Sequence, residues 1–284
     1  MVEIENLTNK IVEVKAIAQV VVQNFGHLKK FAKHVVAFAI KQINGFTDVE
    51  LARFVGKEDI GKLIGYEKEP NPTVFSKFRE RAEPEIFEFV ANVTLWLEYK
   101  DRPIKLIAQD STSIDAYSED DPDADWGKRT IPKKRQVTDE SVESFFGYKL
   151  HAGVDADTDN PIAFFIRPAN RHDKKLFGAI LTHIKENFRI GHKAKYIADS
   201  ALDSFDVRRE LRYSDIKDLI AINGRGHRES EIPKDPDYGK RWSIERFFSR
   251  LKEVFGLGKN RFIGIRKVMI HVYSCIIAYS ISYL

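Results

Sequence analysis

A chain of 284 residues with 43% apolar content is long enough to bury a real core and suits two structural units. Its single cysteine, Cys275, lies in an apolar run, which excludes a disulfide framework or a thiolate zinc cluster and points to an intracellular, cytoplasmic protein. The net charge of +4 is modest, so the placement of charge informs more than its sum.

In chain order, residues 1 to 25 carry acids throughout and lack a cleavage pattern, so no secretory leader is expected. The first hundred residues read as a helical unit. Thr47 to Glu50 makes a capping box ahead of Leu51–Val55, Gly56 breaks that helix, and a short helix ends before Gly65. Pro70 and Pro72 then lead to a third helix from Thr73 that carries Lys77, Arg79 and Arg81. Short helices with tight breaks suit a helix-turn-helix-like DNA reader. Residues 1 to 95 hold 13 basic and 13 acidic side chains, however, so a helical dimerisation or packing unit stays open and no base-reading residues are assigned.

Near residue 100 the pattern changes from helices to strands. Lys105–Gln109 reads as a short buried strand ending in Asp110, and Ala194–Ala198 as another ending in Asp199. An Asp at a strand end stays solvated enough to ionise while the strand fixes it, though such a residue also commonly starts a loop or caps a helix. Residues 115 to 140, acidic and then basic with Pro122 and Pro132, read as a mobile loop whose spacing lacks the Gly and Glu of a calcium loop. Ser144–Asp155 and Pro161–Arg167 read as a hairpin, forming an antiparallel trio with the Asp110 strand. Asn170 or Asp173 caps a helix over 174–187, with His172 structural. After Asp199 come a helix near 206–212, a strand over 218–223, a loop, and a further helix. The final run, Val268–Leu284, is only 17 residues long with His271 and several Ser and Tyr, so a buried terminal helix is expected rather than a membrane span. This alternation argues α/β with a mixed sheet.

The most informative stretch is Tyr238–Lys252. At about 100° per residue, Tyr238, Arg241, Glu245 and Lys252 share an arc of roughly 60°, beside an apolar stripe of Ile244, Phe247, Phe248, Leu251, Val254 and Phe255. A carboxylate at such a boundary, flanked by Arg and Lys, suits holding a metal next to a phosphate; an ordinary amphipathic helix would show the same wheel. Between Tyr238 and Ile270 there are nine Lys or Arg against two Glu. Arg246, Arg250, Lys259, Arg261, Arg266 and Lys267 would there offer a surface to a phosphate backbone.

These four spaced residues and the two strand-borne aspartates resemble the insertion-sequence DDE transposases, whose signature runs Tyr, two residues, Arg, three residues, Glu, six residues, Lys. The resemblance implies a ribonuclease H-like mixed-sheet core over residues 101–284, behind a helical, DNA-end-binding domain over 1–100. It implies catalytic, metal-binding roles for Asp110, Asp199 and Glu245, which would hold two Mg²⁺ ions, with Mn²⁺ able to take their place. It assigns Tyr238, Arg241 and Lys252, with Arg246 and Arg250, to DNA contact. The implied activity is cutting and joining of element ends in double-stranded DNA, from the terminal inverted repeats into target DNA. A homodimer on DNA, a nucleoid-associated location and no membrane follow from the same resemblance.

Two departures bear on it. Only 45 residues separate Asp199 from Glu245, too few for the strand-rich insertion of some relatives, and Ser200-Ala201-Leu202 follows Asp199 where many relatives have a small residue and then an aromatic. A ribonuclease H-like nuclease without strand transfer and an inactive DNA-binding regulator are the alternative functions.

Overall fold

The computed structural model describes residues 2–23, 32–132, 140–171, 173–224 and 229–283. Six helices come first: α1 (Val2–Gln23), α2 (Ala32–Asn44), α3 (Asp48–Lys57), α4 (Asp59–Ile64), α5 (Thr73–Arg81) and α6 (Pro84–Tyr99). Strands β1 (Ile104–Asp115), β2 (Asp125–Pro132), β3 (Glu140–Asp155) and β4 (Asn160–Pro168) follow. Then come α7 (Asp173–Asn187), β5 (Ile190–Ala198), α8 (Phe205–Tyr213), β6 (Lys217–Ile220), α9 (Trp242–Glu253) and α10 (Ile265–Tyr283). The chain divides into a helical unit of residues 1–98, 250–262 and 266–284, and a sheet unit of residues 99–249 and 263–265. The helical unit thus draws on residues 250–262 and 266–284 as well as on the first 98, which periodicity alone had no means to reveal.

Within the helical unit the expected capping box forms: the Thr47 side chain accepts from the Glu50 N–H, and Glu50 accepts from the Thr47 N–H. Gly65 closes α4 in the left-handed region. Arg79, offered by the sequence on a candidate recognition helix, is instead buried. It lies 4.8 Å over Phe38 and 4.5 Å over Phe262, and donates to Asp48, which also accepts from Lys41. Burial alone would raise the Asp48 pKa, but Arg79 and Lys41 outweigh it and leave it lowered. Helix α10 is buried from Ile270 to Ile281. No helix among the described residues is long and apolar enough to cross a membrane.

The sheet unit is built on a six-stranded mixed sheet. β3 pairs antiparallel with β1 on one side and β4 on the other, and β1, β5 and β6 run parallel. This is the ribonuclease H-like arrangement expected of the sequence. On one face, α7 buries Phe177, Ile180, Leu181 and Ile184 against Ile107, Tyr196 and Ala198. Each such side chain contributes about 1.5–3 kcal/mol of transfer free energy.

Three expectations change. β1 does not end at Asp110 but continues to Asp115, paired there with β3 alone. Residues 115–140 are not simply a loop, because Asp125–Pro132 forms β2 against the extended start of β3. The acidic part is also structural: Asp121 is buried, accepts from the Tyr148 hydroxyl at 2.8 Å, and accepts with Asp123 from the Gly264 and Ile265 N–H groups. The basic half, Lys133, Lys134 and Arg135, and the expected structural role of His172 lie outside the described residues.

Where β4 ends, β2 takes over beside β3, and the exchange occurs at Gly147. Its φ is 158°, and a Cβ there would stand 2.2 Å from the Ile114 carbonyl oxygen. Gly147→Ala is expected to destabilise the sheet unit by about 2–3 kcal/mol, lowering its Tm by roughly 5–10 °C in a thermal melt. In the helical unit, burial pushes the pKa of both His34 and His271 down to about 4. The unfolded chain therefore binds these protons more readily between pH 6.5 and 4, so stability is complete above pH 6.5 and is lost as pH falls through that window. Each histidine should cost about 2 kcal/mol at pH 5 relative to pH 7. Urea unfolding of His34→Phe at the two values should show that much less pH dependence.

Candidate functional site

The parallel pairing of β1 with β5 ends at Ala108 opposite Ile197, and two residues further along each strand stand Asp110 and Asp199. Side chains alternate across a sheet. Gln109 and Tyr196 are hydrogen-bonded on the α7 side, so Ala108, Asp110, Ile197 and Asp199 point to the other. Neighbouring paired strands lie about 4.8 Å apart, and both acids follow within two residues of the end of that pairing. Asp110 accepts from the Ser111 N–H at 2.7 Å, and Asp199 caps a short 3₁₀ turn by accepting from the Ala201 N–H at 2.9 Å.

Glu245 reaches this face from the first turn of α9. The stretch read as one helix from Tyr238 divides: Pro236–Arg241 is a 3₁₀ turn and the α-helix begins at Trp242. With three residues per turn, Tyr238 and Arg241 still share a side. Arg241 donates to Glu245 at 2.7 Å and lies 3.9 Å from Asp110, linking the helix acid to the strand acid. Tyr238 belongs to the same group: burial raises its pKa, Arg241 works against that, and the Asp199 charge adds to it. Its hydroxyl is accordingly kept protonated at neutral pH.

The remaining expected contacts are placed differently. Arg246 forks onto Asp159 at 2.8 and 2.6 Å, so it ties α9 to the β3–β4 turn instead of facing solvent alone. Asp159 sits there with a φ of 65°. Arg250 and Lys252 fall in the helical unit. Arg250 donates to the Tyr279 hydroxyl at 3.2 Å and covers the Tyr283 ring at 4.8 Å, while Lys252 is half-buried. Arg266 reaches the Ala82 carbonyl. Three cations of the basic run after Glu245, Arg246, Arg250 and Arg266, thus have internal partners, while Lys259 and Arg261 are exposed.

The residues that hold the approach to α9 were not singled out from the sequence. Lys195 on β5 donates to Asp235 at 3.0 Å and to Asp237 at 2.7 Å, and Lys217 on β6 donates to Asp235 at 2.8 Å. Lys217 first, then Lys195 and the Asp237 N–H, depress the Asp235 pKa far below the usual carboxylate range. Lys240 donates to Asp157 at 2.6 Å. The only sequence trace of this lock is Asp235-Pro-Asp237, a turn and capping pattern that names no distant partner.

Among the described residues, no three side chains of His, Cys, Asp or Glu stand close enough to share one metal ion. Glu245 is turned to Arg241. The donor set nevertheless fits a hard divalent cation: Asp110 and Asp199 offer only carboxylate oxygens from adjacent strands, and magnesium takes one or two carboxylates plus phosphate and water. The guanidinium between Asp110 and Glu245 marks where this site stabilises positive charge.

Asp235→Asn should loosen the 236–245 segment without unfolding the protein, read as roughly tenfold faster amide exchange there. Because the folded pKa of Asp235 is depressed, the lock is complete above about pH 4 and is lost as pH falls below that value.

Among solved structures the chain resembles a piggyBac transposase synaptic complex with hairpin DNA, seen by cryo-EM, at 10% identity and a TM-score of 0.44. That match covers 88% of this chain and 66% of the other. No curated protein matches the chain in sequence. Residues 101–281, well over half of the chain, match the family described as a transposase DDE domain. With β1, β5 and α9 all inside the matched span, the chain belongs to the transposase DDE domain family.

Proposed function

We propose that the protein is a DNA transposase, cutting at the ends of an insertion sequence and joining them to target DNA by phosphoryl transfer. The observation that carries this reading is Arg241, bonded to Glu245 and 3.9 Å from Asp110, which lies on a strand that pairs in parallel with the one leading into Asp199. Membership of the transposase DDE domain family supports it.

Asp110 and Asp199 would hold the divalent cations, Mg²⁺ or Mn²⁺, with Glu245 joining them once Arg241 turns to a substrate phosphate. A pair of such ions, when bound, supplies the charge that steadies the attacking and leaving oxygens of an in-line displacement. In the first reaction, water attacks the phosphorus and the bond to the 3′ oxygen breaks, leaving a 3′-hydroxyl. In the second, that hydroxyl attacks a target phosphodiester, so one bond is exchanged for another with no covalent link to the protein. Tyr238 fits this route as a hydrogen-bond donor, because its raised pKa opposes a phenolate nucleophile. Arg241 would grip the phosphate at the element's end. Lys252 and Arg250, the further DNA-contact residues that the resemblance implies, would meet phosphate oxygens. Two copies on paired inverted repeats complete the assembly.

The test is cleavage of a plasmid carrying this gene's native flanking DNA. Mg²⁺-dependent cuts at the element's ends are expected, with Asp110→Asn and Glu245→Gln each at least ~100-fold slower. Cuts without joining to a second DNA would identify a nuclease, and binding without cutting by the wild type would identify a DNA-binding regulator.

A further inference from the structure

Beyond Gly147 the chain builds something the ribonuclease H-like sheet does not require. β1 stops opposite Gly147 and β4 opposite Tyr148, so Glu140–Phe146 of β3 pairs with β2 alone. The result is a two-stranded ribbon standing off the sheet. A bare ribbon is marginal in water, and here one of its faces is fastened. Arg129 bridges Asp115 at 2.6 Å and Glu143 at 2.9 Å and covers the Phe145 ring, which is itself buried.

The other face is open. Paired residues of an antiparallel ladder point to the same side. Trp126 opposes Phe146, Lys128 opposes Ser144 and Thr130 opposes Val142, which gathers these six side chains on one surface. Trp126 is 62% and Val142 69% exposed, and the Trp126 and Phe146 rings lie 5.6 Å apart. The same alternation carried along β3 and β1, through Tyr148 opposite Ile114 and Ala152 opposite Asp110, places this surface on the side of the sheet that bears Asp110.

We propose that this face of the ribbon is a docking surface for the DNA duplex that runs outward from the acidic site, an inference that rests on the function proposed above. Charge is sorted to suit it. The six residues supply a lysine, two hydroxyls and an aromatic pair but no carboxylate, while Asp125 and Glu143 alternate to the fastened face beside Arg129. Lys128, Thr130 and Ser144 offer donors to phosphate oxygens, and an exposed indole packs against sugar or base. A two-stranded ribbon also has the width of a DNA major groove. At about 3.3 Å per residue, Trp126 and Thr130 lie roughly 20 and 33 Å from Asp110 along the strands. With 3.4 Å per base pair, the contact should fall about six to ten base pairs from the scissile bond.

The experiment uses the full chain, without divalent cations, on a fluorescent duplex carrying the gene's native flank. Lys128→Glu and the double variant Trp126→Ala/Lys128→Ala are expected to weaken binding about tenfold, and Lys128→Ala to lower the salt slope by about one. Hydroxyl-radical protection should vanish six to ten base pairs from the cut while protection at the cut itself persists, and Lys128→Arg should restore both. Unchanged affinity and footprint in the variants, with wild-type binding intact, would overturn the docking surface and leave the function standing. A loss of dimer mass in light scattering without DNA would also overturn it, because the face would then seat a second copy. A wild type that binds no DNA would overturn the function together with this surface.

Discussion

The proposed site depends on holding a helix-borne carboxylate, Glu245, at a fixed register against Asp110 and Asp199, across a long stretch of intervening chain. Burial of Ile244, Phe247 and Phe248 supplies most of the free energy that seats α9. An apolar stripe alone, however, tolerates sliding and rotation. Register comes from three ionic ties: Asp235 to Lys195 and Lys217, Lys240 to Asp157, and Arg246 to Asp159. Each is screened by solvent and adds little to stability on its own. Together they fix one short segment to β5, β6 and the β3–β4 turn, the elements that follow or flank the aspartates. Their contribution is one of position more than of stability.

Such a site also has to solve an electrostatic difficulty. Three carboxylates pointed at one region repel each other, and the fold answers with a cation that belongs to the chain. Arg241 bonds Glu245 and approaches Asp110. A guanidinium is a planar fork suited equally to carboxylate and phosphate, so the group that neutralises the acids is also the group best able to leave them for a substrate.

How much of this could be read from the sequence varied with the kind of signal. The strands around Asp110 and Asp199 were legible because buried parallel strands read as apolar runs. The Glu245 helix was legible because its apolar stripe has the helical period. β1 was read five residues short because Ser111, Thr112 and Ser113 look like a loop, while pairing with β3 sustains them as a strand. β2 escaped altogether: a ribbon open on one face and salt-bridged on the other has no apolar alternation to betray it. The lock at Asp235 escaped for a different reason. Its partners lie 18 to 42 residues away in sequence, and nothing local distinguishes Lys195 from any other lysine on a strand.

Formal charge was the least reliable guide, and the reason is general. An arginine paired with an internal carboxylate contributes little to an external field, and one held on a ring or a carbonyl keeps its charge but loses freedom to reach an external partner. Arg79 lies between two rings and on Asp48, Arg246 on Asp159, Arg250 on Tyr279 and Tyr283, and Arg266 on a backbone carbonyl. In the basic run after Glu245, Arg246, Arg250 and Arg266 therefore also hold the fold together, while Lys259 and Arg261 stay exposed. The segment 115–140 has the opposite character. Asp121 and Asp123 turn to Tyr148, Gly264 and Ile265, Asp125 falls on the fastened side of the ribbon, and the open face carries Lys128, hydroxyls and aromatic rings. A stretch of mixed charge as sequence becomes two-sided as structure, because strand alternation separates neighbouring residues onto opposite faces. The direction a side chain takes, more than the number of charges, decides which surface of this protein suits a polyanion.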